Sequence, residues 1–139
     1  MSDLVRFSVS LEKPLLNRLE RLVERSLYTN RSEFIRDLIR QRLVEQEWTD
    51  KRQEVVGTIT LLYDHHARKL ADKLIDIQHE HHDHIMASTH VHLTHDLCAE
   101  MIMVRGGARR VRQIVDRLRQ QRGVLHATLS MSSTGESLH

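Results

Sequence analysis

The hydrophobic pattern begins with a two-residue period. Val5, Phe7, Val9 and Leu11 alternate with Arg6, Ser8 and Ser10, as in a strand with one buried face. Pro14 then stands where a helix opens, since its missing N–H costs nothing in the first turn. Leu15, Leu16, Leu19, Leu22 and Val23 recur at helical spacing, with Arg and Glu opposite. Residues 26–29 interrupt the pattern. Asn30 is a good N-cap and Glu33 occupies the reciprocating position of a capping box. Phe34, Ile35, Leu38, Ile39 and Leu43 form a second apolar stripe, and the charged run 45–52 reads as last turns plus a hinge.

From residue 55 the rhythm changes. Residues 55–63 are rich in β-branched side chains and predict a strand. A helix is expected over 65–79, burying Leu70, Leu74 and Ile77. A hairpin of 86–93 and 97–104 should turn at His95-Asp96, and Gly106-Gly107 punctuates. Residues 108–121 predict a basic amphipathic helix with Val111, Ile114, Val115 and Leu118 inward, capped by Gly123. Residues 124–131 form a last strand and 132–139 a frayed tail. The fold class is therefore α+β. A strand-helix-helix head over 1–50 precedes a ferredoxin-like βαββαβ unit over 51–139.

One strand of seven residues cannot stand alone, and the head contains no second strand to pair with it. A two-fold dimer solves this by joining two copies as an antiparallel ribbon. Its outer face would carry Arg6, Ser8 and Ser10 twice over, residue types able to read base edges in a major groove. A simple solvated face explains the same alternation equally well.

Composition narrows the function only a little. The 139 residues carry a formal net charge of +2, which does not demand a polyanionic partner. Aromatics make up 4%, too few for a surface built on base stacking. The single cysteine excludes an intrachain disulfide and fits a reducing compartment. No apolar run reaches the length of a membrane span and no signal-peptide core is present, so the expectation is a soluble, cytoplasmic protein without a membrane partner.

Residues 78–98 hold most of the histidines and the cysteine, and none of the histidines precedes His65. His90 and His92, two apart on a strand, share a face, and a turn at 94–96 would return Cys98 beside them. Imidazole with thiolate suits nickel, copper or zinc and suits magnesium or calcium poorly. Three such ligands with an open position also describe a catalytic zinc centre, but no general base stands at an obvious spacing and the head would have no role. A ferredoxin-like module for a small molecule would leave the metal ligands idle. The expectation is a metal-binding protein that is not an enzyme.

Together, Asn30-Arg31-Ser32-Glu33 with Ile35-Arg36-Asp37, Gln78-His79, and His90-Val91-His92 with Cys98 resemble one family over nearly the full chain. It is similar to the nickel-responsive transcriptional regulators of the NikR type. The resemblance implies a ribbon-helix-helix DNA-binding head and an ACT-type ferredoxin-like domain. It implies square-planar Ni(2+) held by His90, His92 and Cys98 of one subunit and His79 of a neighbour, in a homotetramer built as a dimer of dimers. It implies base reading by Arg6, Ser8 and Ser10, a phosphate clamp at Asn30, Arg31 and Ser32, and a cation between the domains at Glu33 and Asp37. The partner would be palindromic operator DNA, and nickel-uptake genes would be repressed. The alternatives are a sensor of zinc, copper or cobalt on the same fold, or an activator.

Some positions depart from the family pattern. Glu80 interrupts the histidine-rich run at His79, His81 and His82, so His65, His81, His82 and His84 read as a solvated, metal-scavenging surface. Ala67 replaces a basic residue that can touch the DNA backbone, leaving Arg68 and Lys69. Tyr63 and Glu100 are candidate supports for the metal-binding imidazoles.

Overall fold

The computed structural model describes residues 3–139. The chain divides into two compact units, one of residues up to Leu43 together with Ser137–His139, the other Val44–Glu136.

In the first unit, helix α1 spans Lys13–Arg25 and helix α2 spans Arg31–Glu47, running on into the second unit. Pro14 lies in the opening turn of α1, and the Ser26 hydroxyl donates to the Val23 carbonyl at 2.6 Å where that helix ends. The expected N-cap of α2 is present: Asn30 Oδ1 accepts from the Glu33 backbone N–H at 3.0 Å. The expected strand is not formed. Among the described residues, 3–11 form no strand pairing, and Val5, Phe7 and Val9 stand exposed. Strand hydrogen bonds need a second strand, which a single chain does not supply here. Leu15, Leu22, Leu38 and Ile39 are also exposed, while Leu16, Leu19, Phe34 and Ile35 are half-buried, so the apolar stripes of both helices are only partly covered within one copy.

The second unit is built on strands β1 (Glu54–Asp64), β2 (Ile85–His92), β3 (Leu97–Gly107) and β4 (Val124–Met131), with helices α3 (Leu70–Glu80) and α4 (Ala108–Arg119). The sheet order is β2-β3-β1-β4, every neighbouring pair antiparallel. Each helix therefore joins two parallel strands with one antiparallel strand between them, the split βαβ arrangement. Burial in β1 alternates strictly, with Val55, Ile59, Leu61 and Tyr63 facing the helices. Leu70, Leu74 and Ile77 of α3 and Val111, Ile114, Val115 and Leu118 of α4 close over that face, as their spacing predicts. The other face stays open, with Val91, Met101 and Met103 exposed.

Three local differences have clear causes. Helix α3 starts at Leu70 rather than near residue 65, because the Asp64 carboxylate accepts from the His66 N–H at 2.9 Å and Lys69 takes a left-handed conformation, φ 61°. The segment 65–69 is thus a turn, which matters for the metal centre. Strand β3 runs through Gly106-Gly107 because Glu54 and Val55 of β1 remain available to pair with them. Helix α4 ends at Arg119, and Gly123 serves the turn into β4 instead (φ 100°). A Cβ there would lie 2.6 Å from Ala67 Cβ and 2.9 Å from Leu70 Cδ2.

Trp48, in the stretch that reads as a hinge, is a core residue only 2% exposed. Its indole N–H donates to the Ser132 carbonyl at 2.8 Å, and the Arg112 guanidinium lies 5.6 Å from its ring centroid. Gly57 makes room for the ring: a Cβ would sit 3.1 Å from Trp48 Cη2 and 2.9 Å from Leu129 Cδ1. Replacing Trp48 by Ala should cost about 3–5 kcal/mol, through the cavity and the orphaned carbonyl. Urea denaturation followed by far-ultraviolet circular dichroism should show the midpoint fall.

Candidate metal centre

The centre forms at one corner of the sheet, where three strands present residues on the helix-covered face. Antiparallel register puts Cys98 of β3 opposite Tyr63 of β1 on one side and His92 of β2 on the other. His90 lies two residues before His92 and opposite Glu100. His90, His92 and Cys98 thus share a face, as the hairpin spacing predicts. The turn between the strands is held by Thr94, whose hydroxyl accepts from the Asp96 N–H at 3.2 Å and the Leu97 N–H at 3.1 Å.

Cys98 is fully buried, at 0% exposure. Its Sγ stands 3.3 Å from His92 Nδ1 and 3.4 Å from His65 Nδ1. The ligating atoms of His65, His92 and Cys98 all lie within 4.8 Å of one another, a spacing a single first-row cation can span. His90 is beside this group, its ring centroid 4.9 Å from that of His92, but its Nδ1 is 2.8 Å from the Tyr63 hydroxyl. That contact leaves Nε2 of His90 as the nitrogen available for a metal, with Nδ1 held by the phenol.

Sequence spacing did not reveal His65, 33 positions from Cys98. The pairing of β1 with β3 brings it there, and the His65 N–H donates to the Asp96 carbonyl at 2.8 Å. The only available signal was the expected adjacency of β1 and β3 in a ferredoxin-like sheet.

His79, near the end of α3, is exposed and lines a cavity of about 310 Å³ with Gln78, His82, Ser88 and Glu100. It belongs to neither histidine cluster found among the described residues of the chain. Glu100, 8% exposed, accepts from Gln78 Nε2 at 3.0 Å and from the Ser88 hydroxyl at 2.6 Å. Of the two expected supports, Tyr63 reaches a histidine, whereas Glu100 ties α3 to β2. His81 and His84 are engaged by the backbone, at the Ile77 and Arg105 carbonyls respectively.

In the first unit, Arg6, Ser8 and Ser10 are exposed within the unpaired segment. Arg31 lies 3.7 Å from Glu20, and Asp37 accepts from Gln41 Nε2 at 2.8 Å. The amide of Glu33 is engaged by Asn30, as its capping position requires.

Burial raises the Tyr63 phenol to about 12, helped by the negative charges of Glu100 and Cys98. It is neutral at physiological pH. The unfolded phenol ionises near 10 while the folded one holds its proton, so this group withdraws stability as pH climbs from about 10 toward 12 and is indifferent below. An ultraviolet titration of the folded protein should show a tyrosinate step near 12 that disappears in Tyr63→Phe.

Comparison with known proteins agrees with both halves. Residues 5–46 match the family described as ribbon-helix-helix protein, copG family, and residues 56–132 match the NikR C terminal nickel binding domain. Proteins of Geobacter sulfurreducens and Geotalea uraniireducens, whose names give them as nickel-responsive regulators, are 50% and 49% identical to this chain. Both alignments cover 100% of this chain and 100% of the relative. An uncharacterized protein of Thermotoga maritima shares the fold at a TM-score of 0.52 and 10% identity, covering 57% of this chain and 98% of that one. With half of the positions shared end to end and both domain families matched, the chain belongs to the nickel-responsive ribbon-helix-helix regulators, a family of transcription factors and not of enzymes.

Proposed function

We propose that this protein is a nickel-dependent DNA-binding repressor of nickel-uptake genes, acting in the cytoplasm as a dimer of dimers. The head over 1–50 would read palindromic operator half-sites, and the domain over 51–139 would bind Ni(2+) and join the dimers. The observation that carries this reading is the buried Cys98 thiol, placed against His92 with His90 on the same face. Two imidazoles and a thiolate in one corner suit square-planar nickel, which zinc, preferring a tetrahedron, fits less well.

His79 would complete the plane for a neighbouring copy, an assignment supported by its exposed place at the end of α3. A ligand from a second chain makes metal binding and assembly one equilibrium. Nickel favours the DNA-competent arrangement, and operator DNA in turn tightens nickel. The open sheet face carrying Val91, Met101 and Met103 offers apolar area for contacts between copies.

Pairing residues 5–11 with their equivalents would bury Val5, Phe7 and Val9, gaining roughly 1.5–3 kcal/mol for each side chain. Arg6, Ser8 and Ser10 would then face the major groove. The start of α2 at Asn30, Arg31 and Ser32 would hold a backbone phosphate. Glu33 and Asp37 would hold a cation between the domains when DNA is bound.

Titrating the metal-free protein with nickel should produce a thiolate charge-transfer band that saturates near one nickel per chain and is absent in Cys98→Ala. A featureless titration, or saturation by zinc alone, would remove nickel from the proposal and favour a sensor of another metal. On operator DNA, Arg6→Ala should cost about 1–3 kcal/mol and relax sequence preference, whereas Arg31→Ala should weaken all sequences alike. Gel-shift titrations against operator and scrambled duplexes separate the two effects.

A further inference from the structure

The first amides of α2 are not all free. The Glu33 N–H is taken by the Asn30 side chain at 3.0 Å and the Phe34 N–H by the Asn30 carbonyl at 3.4 Å. Among the described residues, nothing accepts from the N–H groups of Arg31 and Ser32. Those are the donors on which the phosphate reading above depends. Where they point follows from the angle at which the chain enters the helix.

Tyr28, two residues before the Asn30 cap, controls that entry. Its ring packs edge-on against Phe34, with centroids 5.8 Å apart and planes at 82°. Phe34 is the fourth residue of α2, so the pair acts as a hydrophobic staple across the cap. The phenol then reaches a turn further and donates to the Asp37 carboxylate. That acceptor is itself held, by Gln41 Nε2 at 2.8 Å. The bond to Asp37 raises the phenol above its ordinary ionisation range, so the hydroxyl keeps its proton at physiological pH. Backwards along the chain, the Tyr28 N–H donates to Ser26 Oγ at 3.3 Å, and Ser26 Oγ donates to the Val23 carbonyl where α1 ends. One residue thus ties the end of α1 to the first two turns of α2.

We infer that Tyr28 is a positioning residue for DNA binding: it sets the turn 26–30 so that the Arg31 and Ser32 N–H groups point at one backbone phosphate. Because it acts through a phosphate contact, it contributes affinity without sequence preference. The inference rests on the phosphate reading given above for Asn30, Arg31 and Ser32. A tyrosine that only stiffened the turn would alter stability and leave the number of phosphate contacts as it was.

That number is read from the salt dependence of binding, measured by gel shift of the full chain with nickel on a duplex of arbitrary sequence. Tyr28→Phe keeps a ring against Phe34 and removes only the hydroxyl. It should weaken binding about three- to tenfold and lower the slope of log affinity against log salt by about one. Arg31→Pro tests the phosphate contact itself: proline is tolerated at the first helical position and removes that N–H, whereas Arg31→Ala removes the side chain alone. The proline variant should bind more weakly than the alanine one, and Tyr28→Phe should cost less when added to it than in the parent. If Arg31→Pro and Arg31→Ala bind alike, the phosphate reading fails and the role of Tyr28 falls with it. If they differ, yet Tyr28→Phe leaves the slope unchanged or costs the same in both backgrounds, the phosphate reading stands and the inference about Tyr28 is wrong.

Discussion

The antiparallel pairing of β1 with β3 is the constraint on which the candidate metal centre depends. It runs from Glu54 opposite Gly107 to Asp64 opposite Leu97, and its last pairs set Tyr63 beside Cys98. Because side chains alternate, a slip of one residue would turn over the side chains of one strand relative to the other, separating Tyr63 from the face that carries Cys98. The register is held by burial along its whole length: Val55, Ile59 and Leu61 of β1 and Ile102 and Val104 of β3 all lie on the covered face, and a slip would expose the set of whichever strand turned over. The hydrophobic core and the ligand geometry are therefore one constraint.

That coupling explains how a soft, reactive thiol is kept in place. Cys98 is buried beneath the helices at a sheet corner, so its access to solvent runs past histidines. Tyr63, neutral and hydrogen-bonded to His90, steers one imidazole without adding charge to the pocket. Glu100 lies on the same face but directs its carboxylate to Gln78 and Ser88, linking the helix that carries His79 to the strand that carries His90.

The two units differ in how far one chain completes them. The second has a closed core under α3 and α4, with Trp48 filling its margin. The first leaves Val5, Phe7, Leu15, Leu22, Leu38 and Ile39 exposed, with Leu16, Leu19, Phe34 and Ile35 only half-buried, and its leading segment forms no strand. A polypeptide that exposes Val5, Phe7 and Val9 in alternation is half of a structure, and its complement is most simply another copy of itself.

Much of this was legible in the residues alone. Periodicity located both head helices, the Asn30 cap, the inward faces of α3 and α4, and the βαββαβ order, because each depends on neighbours within a few positions. The His-x-His spacing and the return to Cys98 were equally local, set by strand alternation and a short turn. What required the folded chain was whatever depends on distant segments meeting. His65 reaches Cys98 and Tyr63 reaches His90 only through strand pairing across some thirty residues. Trp48, read as part of a hinge from its charged neighbours, is core because Gly57 and the Ser132 carbonyl await it. In the other direction, the alternation at residues 5–11 specified a strand that one chain does not form, since local pattern states a preference and only a partner's backbone can satisfy it.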